Sequence, residues 1–332
     1  MDWTLLARQV LNGHECTRDE AREILNEKDG NLLALINGAY VIRSHYYGNK
    51  VKLNMIINAK SGRCPENCAY CSQSIYADTD IDNYSLVDQE TIVEGARRAK
   101  EGRIGTYCIV MSGRKASNRE IRAVSAAVKQ IKQEMSIKIC ACLGLIDKKQ
   151  AEALKEAGVD RYNHNLNTSE RYYDQVATTH HYSDRVRTIE AVKEVGISPC
   201  AGGICGMGET EDDLLDMAFA CRSLDSDSIP VNFLNPIPGT RFADKDELTP
   251  NKCLKILSMF RFVNPKKEIR IAGGREYNLR SMQCLGLYVA NSIFVDGYLT
   301  TGGQGENKDI QMINDLGFEV EENAFETQSQ DL

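Results

Sequence analysis

A (β/α)8 barrel of the TIM type, preceded by a helical extension, is the α/β fold class that this sequence predicts. Three observations lead to it. From residue 51 onward, short apolar runs of strand length alternate with amphipathic runs of helix length, and eight strand candidates appear. The chain has 332 residues, long for one average domain but normal for one barrel. The first apolar run is followed by a long connection, about residues 58 to 88, and long connections in compact domains usually carry function.

Residues 1–50 read as the helical extension. Thr17 and Glu20 have the spacing of a capping box, after which Ala21, Ile24 and Leu25 fall on one face. Leu32, Leu35, Ile36, Ala39 and Tyr40 recur at helical spacing and predict a helix over 32–46. Both segments read as a lid or plug on the larger body. The barrel is expected over 51–318, with strands at 52–57, 106–111, 137–143, 161–165, 198–204, 229–234, 268–272 and 292–295. Helices are expected at 90–100, 119–134, 148–157, 184–194, 211–224 and 250–262. A doubly wound open sheet uses the same alternation and is the competing arrangement. Residues 319–332 read as a disordered acidic tail.

Composition narrows the function classes. Hydrophobic residues at 42% and charged residues at 26% are ordinary for a globular protein. A net charge of −7 provides no general attraction to nucleic acid or an anionic membrane. The first residues lack a basic region followed by a long apolar core, so no signal peptide is read. No apolar run approaches the roughly 20 residues that span a bilayer. Twelve cysteines in such a chain point to reduced thiols in the cytoplasm, serving metal or redox chemistry.

Three of these, Cys64, Cys68 and Cys71, stand at C-x3-C-x2-C spacing in the long connection after the first strand. Loops after the strands carry the active site in barrels, so the motif lies where the fold places chemistry. Three thiolates on one loop can hold three irons of a cubane and leave the fourth open to bind and reduce a small molecule. Zinc is the rival, but structural zinc prefers paired C-x2-C units completed by a further Cys or His. The nearest histidine before the loop is His45.

A second set, Cys108, Cys140 and Cys200, falls on the second, third and fifth predicted strands, and Arg270 on the seventh. A buried cysteine is ordinarily a small hydrophobe. On different strands of one barrel, however, these three can converge where Val, Ile or Leu would otherwise stack. Arginine stays protonated and has no lone pair to offer, so chemistry alone gives Arg270 a carboxylate partner or a hydrogen bond to sulfur. Cys142 shares the face of Cys140. Cys205 reads as packed, and Cys16, Cys221, Cys253 and Cys284, in predicted helices, read as structural. Asn163, Asn165 and Asn167 alternate on a predicted strand and so share a face, with amides that both donate and accept. His164 points the other way and reads as packed.

The segment GRCPENCAYCSQ (62–73) resembles the cluster loop of the radical S-adenosylmethionine superfamily, and within it that of the biotin synthase family. The segments YNHNLN (162–167), CAGGICGMGET (200–210) and IRIAGGRE (269–276) are similar to the same family. The resemblance covers about residues 40 to 320. It implies a [4Fe-4S] cluster on Cys64, Cys68 and Cys71, whose open iron binds S-adenosylmethionine and cleaves it to a 5′-deoxyadenosyl radical. It implies a [2Fe-2S] cluster on Cys108, Cys140, Cys200 and Arg270 as sulfur donor. Tyr70 and the element Gly202, Ile204, Gly206 and Glu209 would lie by the adenine. Asn165 and Asn167 would lie near the adenosylmethionine, and Arg185 on its methionine carboxylate. Position 167 departs from the version of the motif with Asp: Asn keeps the acceptor and loses the charge. Asn163 and Asn232 would read the ureido group of dethiobiotin; Thr300 and Thr301, in the last strand–helix loop, suit its carboxylate tail. Plainer readings stand beside these: loop packing for Tyr70, a tight turn with a helix-capping Glu for 202–209, and a surface helix residue for Arg185.

The implied reaction inserts sulfur between C6 and C9 of dethiobiotin to give biotin. The implied partners are an electron donor such as flavodoxin or ferredoxin, iron–sulfur assembly proteins and a second copy of the chain. Another radical enzyme on the same barrel, of mutase or cluster-maturation type, is the alternative, and it would not need the interior cysteines. A non-enzymatic iron–sulfur or zinc-binding protein is a further one.

Overall fold

The computed structural model describes residues 1–321. Its strands are β1 (Lys50–Lys60), β2 (Thr106–Met111), β3 (Lys138–Cys142), β4 (Arg161–Asn163), β5 (Ser198–Cys200), β6 (Gly203–Cys205), β7 (Ser228–Phe233), β8 (Glu268–Ile271), β9 (Ser292–Phe294) and β10 (Glu319–Val320). The parallel order β1-β2-β3-β4-β5-β7-β8-β9 returns to β1 through Lys52↔Ser292, Leu53↔Ile293 and Asn54↔Phe294. An open sheet has no such pairing, so the barrel is closed. The strand expected at 198–204 is broken in two, and both pieces lie against β7. The break falls at Gly202, where a Cβ would stand only 2.0 Å from the Pro230 carbonyl oxygen. Gly202→Ala is therefore expected to destabilise the protein by about 1–3 kcal/mol, as overpacking does, read as a lower urea midpoint.

Residue 319 does not begin a tail. Lys50↔Glu319 and Val51↔Val320 pair in parallel, because β1 starts two residues ahead of its partner β9 and leaves free backbone there. The Glu319 amide donates to the Asn49 carbonyl at 2.9 Å and that of Glu321 to Val51 at 2.8 Å. The rest of the expected tail, 322–332, lies outside the described residues.

The extension folds into α1 (Trp3–Leu11), α2 (Arg18–Leu25) and α3 (Leu32–Tyr47). The capping box forms as read: the Thr17 side chain accepts from the Glu20 amide, and Glu20 accepts from the Thr17 amide at 2.8 Å. Around the barrel run α4 (Gln89–Glu101), α5 (Asn118–Glu134), α6 (Lys148–Ala157), α7 (Tyr173–Val176), α8 (Tyr182–Glu194), α9 (Glu211–Ser223) and α10 (Pro250–Val263). The extension is not a lid. Its α2 packs on α9 and α10, α3 packs on α10, and α1 crosses α3 closely at Gly38. The buried Arg43 of α3 donates to the carbonyls of Lys50, at 2.8 Å, and Gly48 near the start of β1. None of residues 1–50 borders the cavity in the barrel mouth, so the extension buttresses the barrel from outside. Cys16, expected in a helix, lies in the connection just before α2 and is buried.

Candidate active site

A cavity of about 290 Å³ lies in the barrel mouth. Cys64, Cys68 and Cys71 line it from the loop after β1, and Cys108, Cys140 and Cys142 line it from β2 and β3. Cys200 stands just behind the wall, its Sγ receiving the Asn163 Nδ2–H at 3.3 Å. All twelve cysteines are free thiols.

The cysteine loop is held by its own backbone. The Cys64 amide donates to Gln73, the Ile75 amide to Cys64, and the Cys71 amide to Cys68, all within 3.0 Å. The Ser74 hydroxyl donates to the Glu66 carbonyl at 2.6 Å. Burial, then the neighbouring Cys68, pushes the Cys71 thiol up to about 12. Burial pushes Cys68 to about 11. At neutral pH these groups are protonated, so metal binding must release their protons. Among the described residues, no three His, Cys, Asp or Glu side chains form a group that could hold a single metal ion. A polynuclear cluster asks for something different, because its thiolates bind separate irons and need not converge on one point. The soft three-thiol donor set of one loop fits such a cluster.

The mid-barrel set comes together as the strand positions predicted. Cys108 and Cys140 are paired in register, as are Asn163 and Cys200. The thiol of Cys140 is hydrogen-bonded to Cys108 and to Cys200, and the bond with Cys108, followed by burial, holds it well above the usual thiol range. Arg270 has both features that chemistry alone assigned to it. Its Nη2 donates to the Glu268 carboxylate at 2.6 Å, and its Nη1 approaches Cys200 Sγ at 4.0 Å. Burial alone would lower its pKa, but Glu268 and the three cysteines raise it further, so the guanidinium is charged. Three soft thiols and a cation in a dry interior suit an anionic sulfur-bearing cluster.

On the other wall, Asn163, Asn165 and Asn167 all border the cavity, although they do not share a strand. β4 ends at Asn163, and the chain turns at Asn167, whose φ of +71° is a left-handed conformation that Asn tolerates better than most residues. The Asn167 Nδ2 is buried without a partner, so it is free to meet a bound molecule. The Asn165 Oδ1 accepts from the Gly202 amide at 3.2 Å. Arg185 is not a surface residue. It borders the cavity, with Nη1 donating to the Asn165 carbonyl at 2.8 Å, Nη2 at 2.8 Å from His180 Nε2, and Nε donating to the Tyr173 hydroxyl. Tyr70 borders the cavity while packing on Ala69, Val176, Met207, Leu234 and Phe242.

Of the element 202–209, only Ile204 borders the cavity. Glu209 accepts from the Gly206 and Met207 amides at 2.6 Å each, so it holds the turn, and Gly202 and Gly206 are close-packing positions. Asn232 donates to the Gly203 carbonyl and accepts from the Gly273 amide, both at 2.9 Å, which fixes its amide plane at the wall. One N–H remains for a ligand. Thr300 and Thr301 border the cavity, and Thr300 Oγ1 lies 2.8 Å from Ser72 Oγ, linking the last loop to the cysteine loop. His164 is buried beside Tyr162 and held neutral by burial, then by Arg185 and His180; it is also among the residues that border the cavity.

One arrangement beside the cysteine loop is carried by no sequence motif. Glu66, between two of the loop cysteines, accepts from Thr179 and meets His180 Nδ1 at 2.5 Å. His180 in turn meets Arg185, so one chain of side chains joins the cysteine loop to the arginine. With a carboxylate on Nδ1 and a guanidinium donor on Nε2, His180 is set as the neutral Nδ1–H tautomer. The only sequence signal was a charged residue inside the motif and a histidine near Arg185.

Residues 59–221 match the radical SAM superfamily, and residues 230–319 match the Biotin and Thiamin Synthesis associated domain. Solved structures of similar fold include two proteins with other names. Methylornithine synthase has a TM-score of 0.84 at 21% identity, over 95% of this chain and 97% of that one. The FeFe-hydrogenase maturase HydG from Carboxydothermus hydrogenoformans has a TM-score of 0.80 at 17% identity, over 96% and 79%. Barrel, cysteine loop and superfamily match together define a radical S-adenosylmethionine enzyme. Curated relatives narrow this further. Biotin synthase of Geobacillus kaustophilus is 61% identical over 320 residues, covering 96% of each chain. That of Bacillus subtilis is 58% identical over 319 residues, covering 96% of this chain and 95% of the relative. The chain belongs to the biotin synthase family. Among the described residues, no helix is long and apolar enough to cross a membrane.

Proposed function

We propose that this chain converts dethiobiotin to biotin, a sulfurtransferase reaction that places one sulfur between C6 and C9. The observation that carries this reading is the presence of two separate thiol sets at a single cavity: the loop set and Cys108 and Cys140 line it, and Cys200 stands directly behind its wall. Cys64, Cys68 and Cys71 would hold the [4Fe-4S] cluster, and Cys108, Cys140 and Cys200, with Arg270, the [2Fe-2S] cluster. When bound, these groups and S-adenosylmethionine supply the radical and sulfur chemistry that side chains lack, since no side-chain acid or base removes hydrogen from an unactivated saturated carbon.

The residues of the chain bind, orient and shield. Arg185 suits a methionine carboxylate, Asn165 and Asn167 a nucleoside, and Asn163 and Asn232 a ureido ring. Thr300 and Thr301 supply hydroxyls for a carboxylate tail. Ile56, Val110, Ile204 and Phe294 make the wall apolar, which keeps water away from reactive carbon. Gly202, Gly206 and Glu209 support this wall, and the same element is the one that would lie by the adenine. His180→Ala is expected to raise the KM for S-adenosylmethionine by about 10-fold or more, the scale for losing a residue that orients a primary contact. The change in kcat should be smaller, and steady-state kinetics separate the two.

This reading entails a protein electron donor such as flavodoxin or ferredoxin, iron–sulfur assembly proteins, and a reducing compartment such as the cytoplasm for twelve free thiols. A homodimer is the expected assembly. The test is anaerobic reconstitution with iron and sulfide, followed by incubation with dethiobiotin, S-adenosylmethionine and a reductant. Biotin and 5′-deoxyadenosine are the expected products; absence of both from fully loaded protein would overturn the proposal.

A further inference from the structure

Below Cys108, Cys140 and Cys200 the barrel is filled by charge, where branched apolar side chains ordinarily stack. Glu268 lies two residues before Arg270 on β8, hence on the same face, and is 3% exposed. Its carboxylate is bonded by side chains from three other strands as well as its own. Lys52 Nζ of β1 lies at 2.8 Å, Arg161 Nη1 of β4 at 2.7 Å, Ser228 Oγ of β7 at 3.0 Å and Arg270 Nη2 at 2.6 Å. Lys138 also faces this cluster, and Glu321 approaches Lys52 at 3.5 Å. Cations therefore outnumber carboxylates beneath the cysteines.

The geometry of Arg270 follows from these partners. Nη2 is held by Glu268 and Nε by Ser292 Oγ at 3.2 Å, while the Phe294 ring stacks at 5.0 Å. Nη1 is the nitrogen left to face Cys200. A buried ion network is a poor way to gain stability, because well-packed apolar residues do as well or better. Position and charge are what it provides.

We propose that Glu268 is a positioning residue for the mid-barrel site, holding Arg270 with Nη1 turned to Cys200 and gathering Lys52 and Arg161 beneath the three cysteines. The inference rests on the reading of those cysteines as ligands of the second cluster. Glu268→Gln keeps the shape and an acceptor but removes the charge, and Glu268→Leu removes both. The full chain carrying each change, with Cys200→Ala in parallel, is reconstituted anaerobically with iron and sulfide. Iron, acid-labile sulfide and visible circular dichroism are then followed during challenge with a chelator. Glu268→Gln should lose the mid-barrel group about 10-fold faster than the unmodified chain, and Glu268→Leu about 100-fold faster, both keeping the loop cluster. Visible circular dichroism of the mid-barrel group should change in both, a signature that a merely structural role would not move. Should the Leu variant fail to fold, the Gln variant decides. An unchanged spectrum and loss rate in Glu268→Gln, with Cys200→Ala losing the group, overturns this inference alone. Retention of the group by Cys200→Ala overturns the reading of the cysteines and the inference with it.

Discussion

Replacing Cys64 with alanine is expected to abolish cleavage of S-adenosylmethionine, with 5′-deoxyadenosine formation falling by more than about 100-fold. Loss of a residue that merely supports a metal ligand already produces 10- to 100-fold effects, and Cys64 is read as a ligand itself. The change should not unfold the loop. What holds Cys64 in place is its backbone, with its amide on Gln73 and its carbonyl under the Ile75 amide, and alanine keeps both bonds. The thiol is half-buried and its pKa is raised first by burial, so no strong pairing of a charged thiolate is lost with it. The measurement is 5′-deoxyadenosine per chain after reconstitution, with far-ultraviolet circular dichroism as the control for folding. Cleavage at the unmodified rate in Cys64→Ala would remove this loop from the chemistry.

Cys200→Ala should separate the two sites. Cys200 sits on β5, hydrogen-bonded to Cys140 and Asn163 and facing Arg270, away from the backbone bonds that shape the cysteine loop. Biotin formation is expected to fall by more than about 100-fold, while 5′-deoxyadenosine formation stays near that of the unmodified chain. Intact biotin formation with an intact second cluster would contradict the mid-barrel assignment. The same experiment distinguishes this family from other radical enzymes on the barrel, which would not be expected to need these cysteines.

The barrel was legible because its signal is periodic. Strands 106–111 and helix 148–157 emerge with the expected bounds, and the cysteines assigned to different strands meet inside. The departures have local causes. One predicted strand is interrupted around Gly202, where the backbone lies too close to Pro230 for any side chain, and Asn167 ends the run of alternating amides by turning left-handed. Neither is a property of periodicity. The turn reading of Glu209 describes its hydrogen bonds, and it is compatible with the family pattern that sets this element by the adenine. Glu66 and His180 are 114 residues apart in sequence, and Glu268 meets Lys52 across 216. Pairs so distant carry no spacing that a single sequence can reveal, so the supporting shell of both sites emerged only from the fold.

In the proposed reaction the mid-barrel cysteines hold the source of the sulfur, at the cavity that the radical-forming loop lines. This assignment is tested most directly by reconstituting the protein with heavy-isotope sulfide, removing all free sulfide, and weighing the biotin made in a single turnover by mass spectrometry. The expected product is biotin carrying the heavy isotope, and none from Cys200→Ala. Biotin carrying only light sulfur from heavy-loaded protein would contradict it.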